Sequence, residues 1–80
     1  MPTLFRHAGF RFFFYSNEGD PREPPHVHIQ GTGAEAKFLR HPQVILAQSA
    51  GLDACQLRRL AEVVEARRQD IERAWHDYFG

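Results

Sequence analysis

From His26 to Gln30 the chain alternates strictly. His26, His28 and Gln30 share one side of an extended segment, and Val27 and Ile29 share the other. A second alternating segment follows at Glu35-Ala36-Lys37-Phe38-Leu39. With Thr32-Gly33 as a two-residue turn, Gln30 faces Glu35, His28 faces Lys37 and His26 faces Leu39. Val27, Ile29, Ala36 and Phe38 then all point inward, and His26, His28, Gln30, Glu35 and Lys37 outward. Two strands that agree on their faces fix a register, because a slip of one residue would turn every side chain over.

The pattern before this hairpin is also of strand type. Thr3 to Arg6 is a short strand candidate, and His7-Ala8-Gly9 is a tight turn. Phe10 to Ser16 is an aromatic strand with Phe10, Phe12 and Phe14 on one face and Arg11, Phe13 and Tyr15 on the other. Aromatics on both faces place this strand inside a sheet or under a cover. The expectation is core, with a platform for stacking bases as the functional alternative. Asn17 to Pro25, with Asn, Gly, Asp and three prolines, reads as a loop. Past Leu39, Arg40-His41-Pro42 breaks the alternation. Gln43 to Ser49 is either a short fifth strand or an irregular segment on the core, since adjacent apolar residues do not separate the two.

The periodicity then changes to that of a helix. Asp53 is an N-cap with Gln56 at the capping-box spacing. Leu57, Leu60, Ala61, Val64, Ile71, Ala74, Trp75 and Tyr78 recur at helical intervals, with no proline or glycine from Ala54 to Tyr78. Arg67 occupies the apolar stripe where a hydrophobe is due, so the helix bends there, leaves the sheet, or sets a guanidinium against a carboxylate. A straight helix of this length runs about 37 Å, longer than short strands can cover. Its C-terminal half, with Trp75, Tyr78 and Phe79, therefore needs cover from the loop, the first strand or another subunit. The expectation is an α+β fold: a small antiparallel sheet of about four strands with one long C-terminal helix packed on one face. One domain, 1–80, holds sheet hairpins over 3–49 and the helix over 53–79.

Composition changes this picture little. The chain has 80 residues, 42% hydrophobic and 25% charged, which argues against disorder. Lys plus Arg equals Asp plus Glu at 10 each. A generally basic, nucleic-acid-binding composition is therefore absent, and any basic patch must be local. The single cysteine, Cys55, excludes an internal disulfide framework, fits a reducing compartment, and reads as a packing residue. No apolar run approaches the length of a membrane span, and the N-terminus lacks a secretion signal. The expected location is cytoplasmic.

The candidate chemistry gathers on the polar face of the second hairpin. Imidazole exchanges protons near neutrality. A histidine pair beside a lysine has the parts of metal-independent RNA cleavage: one ring deprotonates a ribose 2′-hydroxyl, the other protonates the leaving oxygen, and a cation stabilises the phosphorane. On this reading His28 is the base and His26 the acid, or the reverse. Lys37 completes the catalytic set, Lys37 and Arg11 hold the phosphate, and Arg11 and Glu35 bind substrate. A metal-binding reading uses His26 and His28 with Glu35 or Glu23 as a third ligand, short of the usual three or four fixed donors. A third reading makes the histidines a polar sheet face or a protein interface. His7, His41 and His76 read as incidental, and the mixed helix charges as a solvated face. Arg58, Arg59, Arg67, Arg68 and Arg73 are a weaker alternative as an RNA-binding cluster.

Several stretches together resemble one family. They are Met1-Pro2-Thr3 with Phe5-Arg6, Gly9-Phe10-Arg11-Phe12, Tyr15-Ser16-Asn17-Glu18, Glu23-Pro24-Pro25-His26-Val27-His28, Ala36-Lys37-Phe38 and Ala74-Trp75-His76-Asp77-Tyr78-Phe79-Gly80. The chain resembles the domain-of-unknown-function family 4160 over nearly its whole length, with a longer loop between Glu18 and Glu23. The resemblance implies a small bacterial protein encoded beside a second small protein, as one half of a toxin–antitoxin pair. The leading expectation is the effector of such a pair, acting on RNA through His26 and His28. The alternatives are a non-enzymatic partner-binding module, such as an antitoxin or complex subunit, and a His-x-His metal-binding protein. The expected partners are a cognate small protein, RNA, and a second copy through the C-terminal helix.

Overall fold

Five antiparallel strands form one sheet in sequence order: β1 (Thr3–His7), β2 (Phe10–Phe13), β3 (His26–Gly31), β4 (Ala34–Leu39) and β5 (Ile45–Ala50). Two helices follow, α1 (Ala54–Ala66) and α2 (Arg68–Phe79), and the fold is α+β. The computed structural model describes residues 3–15, 26–39 and 44–79. The loop expected over 17–25, with Glu23, and the break at Arg40-His41-Pro42 lie outside the described residues.

Short turns account for the order of the first four strands. Ala8 and Gly9, both at positive φ, close β1 on β2 as a two-residue hairpin turn that follows the sheet twist. Thr32 and Gly33 close β3 on β4, and the register is the one the alternation dictates: His26 opposite Leu39, His28 opposite Lys37, Gln30 opposite Glu35. Val27, Ile29, Ala36 and Phe38 are buried as expected. An irregularity between Thr3 and Phe5 lets the adjacent Leu4 and Phe5 both pack on the core.

The core lies between the sheet's inner face and the helices. Phe12, Phe14, Val27, Ile29, Ala36 and Phe38 meet Leu60, Val64, Ile71 and Trp75 there. The Phe5 and Phe12 rings stack at 4.5 Å across β1 and β2. Phe10 lies over Gly31, where any side chain would strike its ring.

The antiparallel sheet and the C-terminal helical segment are as expected in outline, and the structure settles two points that the pattern leaves open. The sheet has five strands rather than about four, because Ile45 to Ala50 pairs with β4, with an irregularity opposite Lys37 and Phe38. The helix is not one straight rod. At Arg67 the backbone leaves helical geometry, with φ −105° and ψ 14°, and α2 begins at the next residue. The Arg67 guanidinium carbon lies 4.4 Å from the Phe5 ring centroid, so the cation on the apolar stripe covers an aromatic of the edge strand. The expected capping box is present: the Gln56 backbone N–H donates to Asp53 Oδ1 at 2.7 Å, and the Asp53 N–H donates to Gln56 Oε1 at 3.1 Å. Trp75 finds cover within the chain, on Phe14 at 5.1 Å, His26 at 4.9 Å and Phe79 at 4.3 Å, whereas Tyr78 remains exposed. Cys55, read from sequence as a packing residue, is exposed because it sits in the first turn of α1 on its solvent side.

Candidate functional site

Pairing aligns the outer face of the sheet, opposite the helices, into cross-strand rows. One row runs Thr3, Phe13, His28, Lys37, Gln48 from β1 to β5, each residue directly opposite the next. A second runs Arg6, Arg11, Gln30, Glu35, Ala50. Two residues along a strand separate the rows by about 6.8 Å. Directly opposed side chains stand close enough to act on one ligand.

A groove of about 430 Å³ opens on this face, lined by Tyr15, His28, Gln30, Glu35, Lys37 and Gln48 above Phe13. Phe13 forms its floor. It is buried although it points away from the helices, under the Arg11 guanidinium at 4.1 Å and beside the His28 ring at 5.6 Å. Tyr15, 41% exposed, sets its ring at 4.5 Å and 73° to that of His28. Arg11 Nη2 donates to Gln30 Oε1 at 3.3 Å, so both its ring contact and its hydrogen bond hold it beside the groove.

Charge on this face departs from the balance of the whole chain. Register places Arg6, Arg11 and Lys37 here with Glu35 as the one carboxylate among the described strand residues. On the helices, by contrast, Arg68 lies 3.6 Å from Glu65, Arg73 3.9 Å from Asp70 and His76 4.0 Å from Glu72. Those pairs, and Arg67 on Phe5, engage three of the helical arginines within the helices and the core edge, while Arg58 and Arg59 lie exposed on α1.

The expected site residues therefore divide. His28, Lys37 and Glu35 line one groove, and Arg11 adjoins it. His26 does not join them as an open-face group: it is 1% exposed, against Trp75 and 5.3 Å from the His28 ring. Alternation assigns its side, but at the end of the strand α2 brings Trp75 over it. Among the described residues no three histidine, cysteine, aspartate or glutamate side chains cluster as a metal site. Glu23, the other proposed ligand, lies outside them.

Sequence reasoning left out Phe13 as the floor and Gln48 as the far wall. The alternation of β2 already separated Phe13 from Phe12 and Phe14. Its placement opposite His28 spans a long loop, which local pattern does not register.

The chain matches the family model described as Domain of unknown function (DUF4160) over residues 9–76 and belongs to that family. No curated protein and no solved structure gives a significant match.

Proposed function

We propose that this protein is the effector of a toxin–antitoxin pair and engages single-stranded RNA on the outer face of its sheet. One observation carries the RNA reading: a net-neutral chain sets Lys37 in a groove walled by Tyr15 and His28, with Arg11 beside it and Arg6 on the same sheet face. Cations meet phosphates, and exposed rings meet unpaired bases, which every sequence of RNA offers. The toxin–antitoxin placement draws its support from the family resemblance.

Within this reading the chemistry centres on His28 and Lys37, which are opposed across β3 and β4. His28 takes the proton of a ribose 2′-hydroxyl, whose oxygen attacks the adjacent phosphorus. The bond from phosphorus to the 5′ oxygen breaks, and that oxygen takes a proton from water. Lys37 stabilises the charge that builds on the phosphoryl oxygens. Arg11 and Glu35 flank the strand, binding phosphate and a base or ribose edge respectively.

Growth after induction of the chain alone, against a folded His28→Ala variant, tests the proposal. Arrest by the wild type only, accompanied by RNA fragments ending in cyclic phosphate, supports it. No arrest and no cleavage removes it.

The second reading, a partner-binding module, draws on a separate observation. β5 is exposed along its whole length, with Ile45 47% and Leu46 40% exposed, and it carries no charge or proline. Sheet edges of this kind accept a further strand. Co-purification with a cognate small protein, lost on Ala47→Pro, is the result expected of that reading.

A further inference from the structure

His26 has no place in the chemistry above, yet it is the one buried polar or charged residue of the described core. We propose that His26 is the positioning residue of the site, setting the His28 ring and making α2 part of the groove's support. The proposal rests on the RNA reading only in taking His28 as the working group.

A run of ring contacts carries it. Phe79 meets Trp75 at 4.3 Å, Trp75 meets His26 at 4.9 Å, and His26 meets His28 at 5.3 Å. His28 consequently has aromatic neighbours on three sides. Phe13 lies nearly parallel to it at 29°, while Tyr15 and His26 present edges at 73° and 80°. A side chain on an open sheet face ordinarily samples several staggered rotamers. Here rings on three sides, at 4.5 to 5.6 Å, narrow that choice. His26 is the member that is anchored, because it is enclosed against a helix residue that is itself only 4% exposed. Deleting its ring opens one side of the His28 enclosure and disconnects it from α2.

The test uses the full chain and begins without RNA. The ring resonances of His28 are assigned with His28→Gln and compared in wild type, His26→Ala and His26→Phe. His26→Phe keeps an aromatic edge against His28 and leaves its resonances close to those of the wild type. His26→Ala moves them toward free-histidine values while the methyl resonances of Val27, Ile29 and Val64 stay dispersed. Unmoved His28 resonances in a folded His26→Ala protein overturn the proposal. Should His26→Ala not fold, Trp75→Phe serves instead, since it alters the ring that anchors His26; unmoved His28 resonances there overturn it equally.

Binding of a fluorescent single-stranded oligoribonucleotide is then compared in the same proteins. Ordering one side chain is worth about threefold to tenfold in affinity. That loss is expected in His26→Ala and its recovery in His26→Phe; equal affinity in all three contradicts a positioning role. Absence of binding by the wild type defeats the RNA reading, and the coupling of His26 to His28 is then decided by the ring resonances alone.

Discussion

Lys37 stands directly opposite His28 on the outer face of the sheet, with Gln48 opposite Lys37 on the next strand. Both Lys37 and His28 are half-buried in the groove wall rather than free at a loop tip. On the proposed RNA reading, the Lys37 ammonium binds a phosphate and stabilises charge developing on it. Lys37→Gln keeps a polar side chain, one atom shorter, and removes the charge. The expected result is weaker RNA binding with a salt dependence reduced by about one unit of slope. Binding titrations at several salt concentrations measure it, with an unchanged melting temperature as the control.

Tyr15 supplies the exposed ring of the groove. Stacking of a base on an aromatic is worth about 1–3 kcal/mol, so Tyr15→Ala lowers RNA affinity by that amount. Tyr15→Phe retains the ring and binds as the wild type does. The same titration with both variants separates stacking from a role for the hydroxyl.

Arg67 acts on the fold and not on the site. Its guanidinium covers Phe5 at the β1 edge, where α1 gives way to α2. Arg67→Ala costs about 0.5–1 kcal/mol of stability, read from urea unfolding, and leaves RNA binding unchanged.

Gly51 holds the junction between β5 and α1. Its φ is +75°, and a Cβ there would collide with the Gly33 carbonyl oxygen in the β3–β4 turn. Gly51→Ala combines a strained backbone with this clash and costs about 2 kcal/mol or more, measured by the same unfolding experiment.

What the sequence made legible was set locally. The β3–β4 register follows from alternation on both strands and a turn with glycine at its second position. The start of α1 follows from Asp53 and Gln56. His26, β5 and the turn at Arg67 depend on contacts far along the chain. Trp75 lies nearly fifty residues beyond His26, as the numbering shows, and no periodicity links the two. Val44 to Ala47 read ambiguously because an exposed edge strand with an irregular register has no clean alternation of buried and open positions. Arg67 is visibly out of place on its stripe, but the ring its guanidinium covers, Phe5 on β1, lies far back along the chain. The site was half legible for the same reason: the hairpin gave His28 opposite Lys37, while Phe13 and Gln48 joined them through strands whose register the loops conceal.

The most direct measurement is a map of the RNA-binding surface by amide chemical-shift changes as a mixed-sequence single-stranded oligoribonucleotide is added. An RNA interface on the outer face of the sheet gives shifts along Phe13, His28, Lys37 and Gln48, extending to Arg11 and Gln30, with α1 and α2 largely unmoved apart from the turn around Trp75. An unchanged spectrum, or shifts confined to the helices, would contradict it.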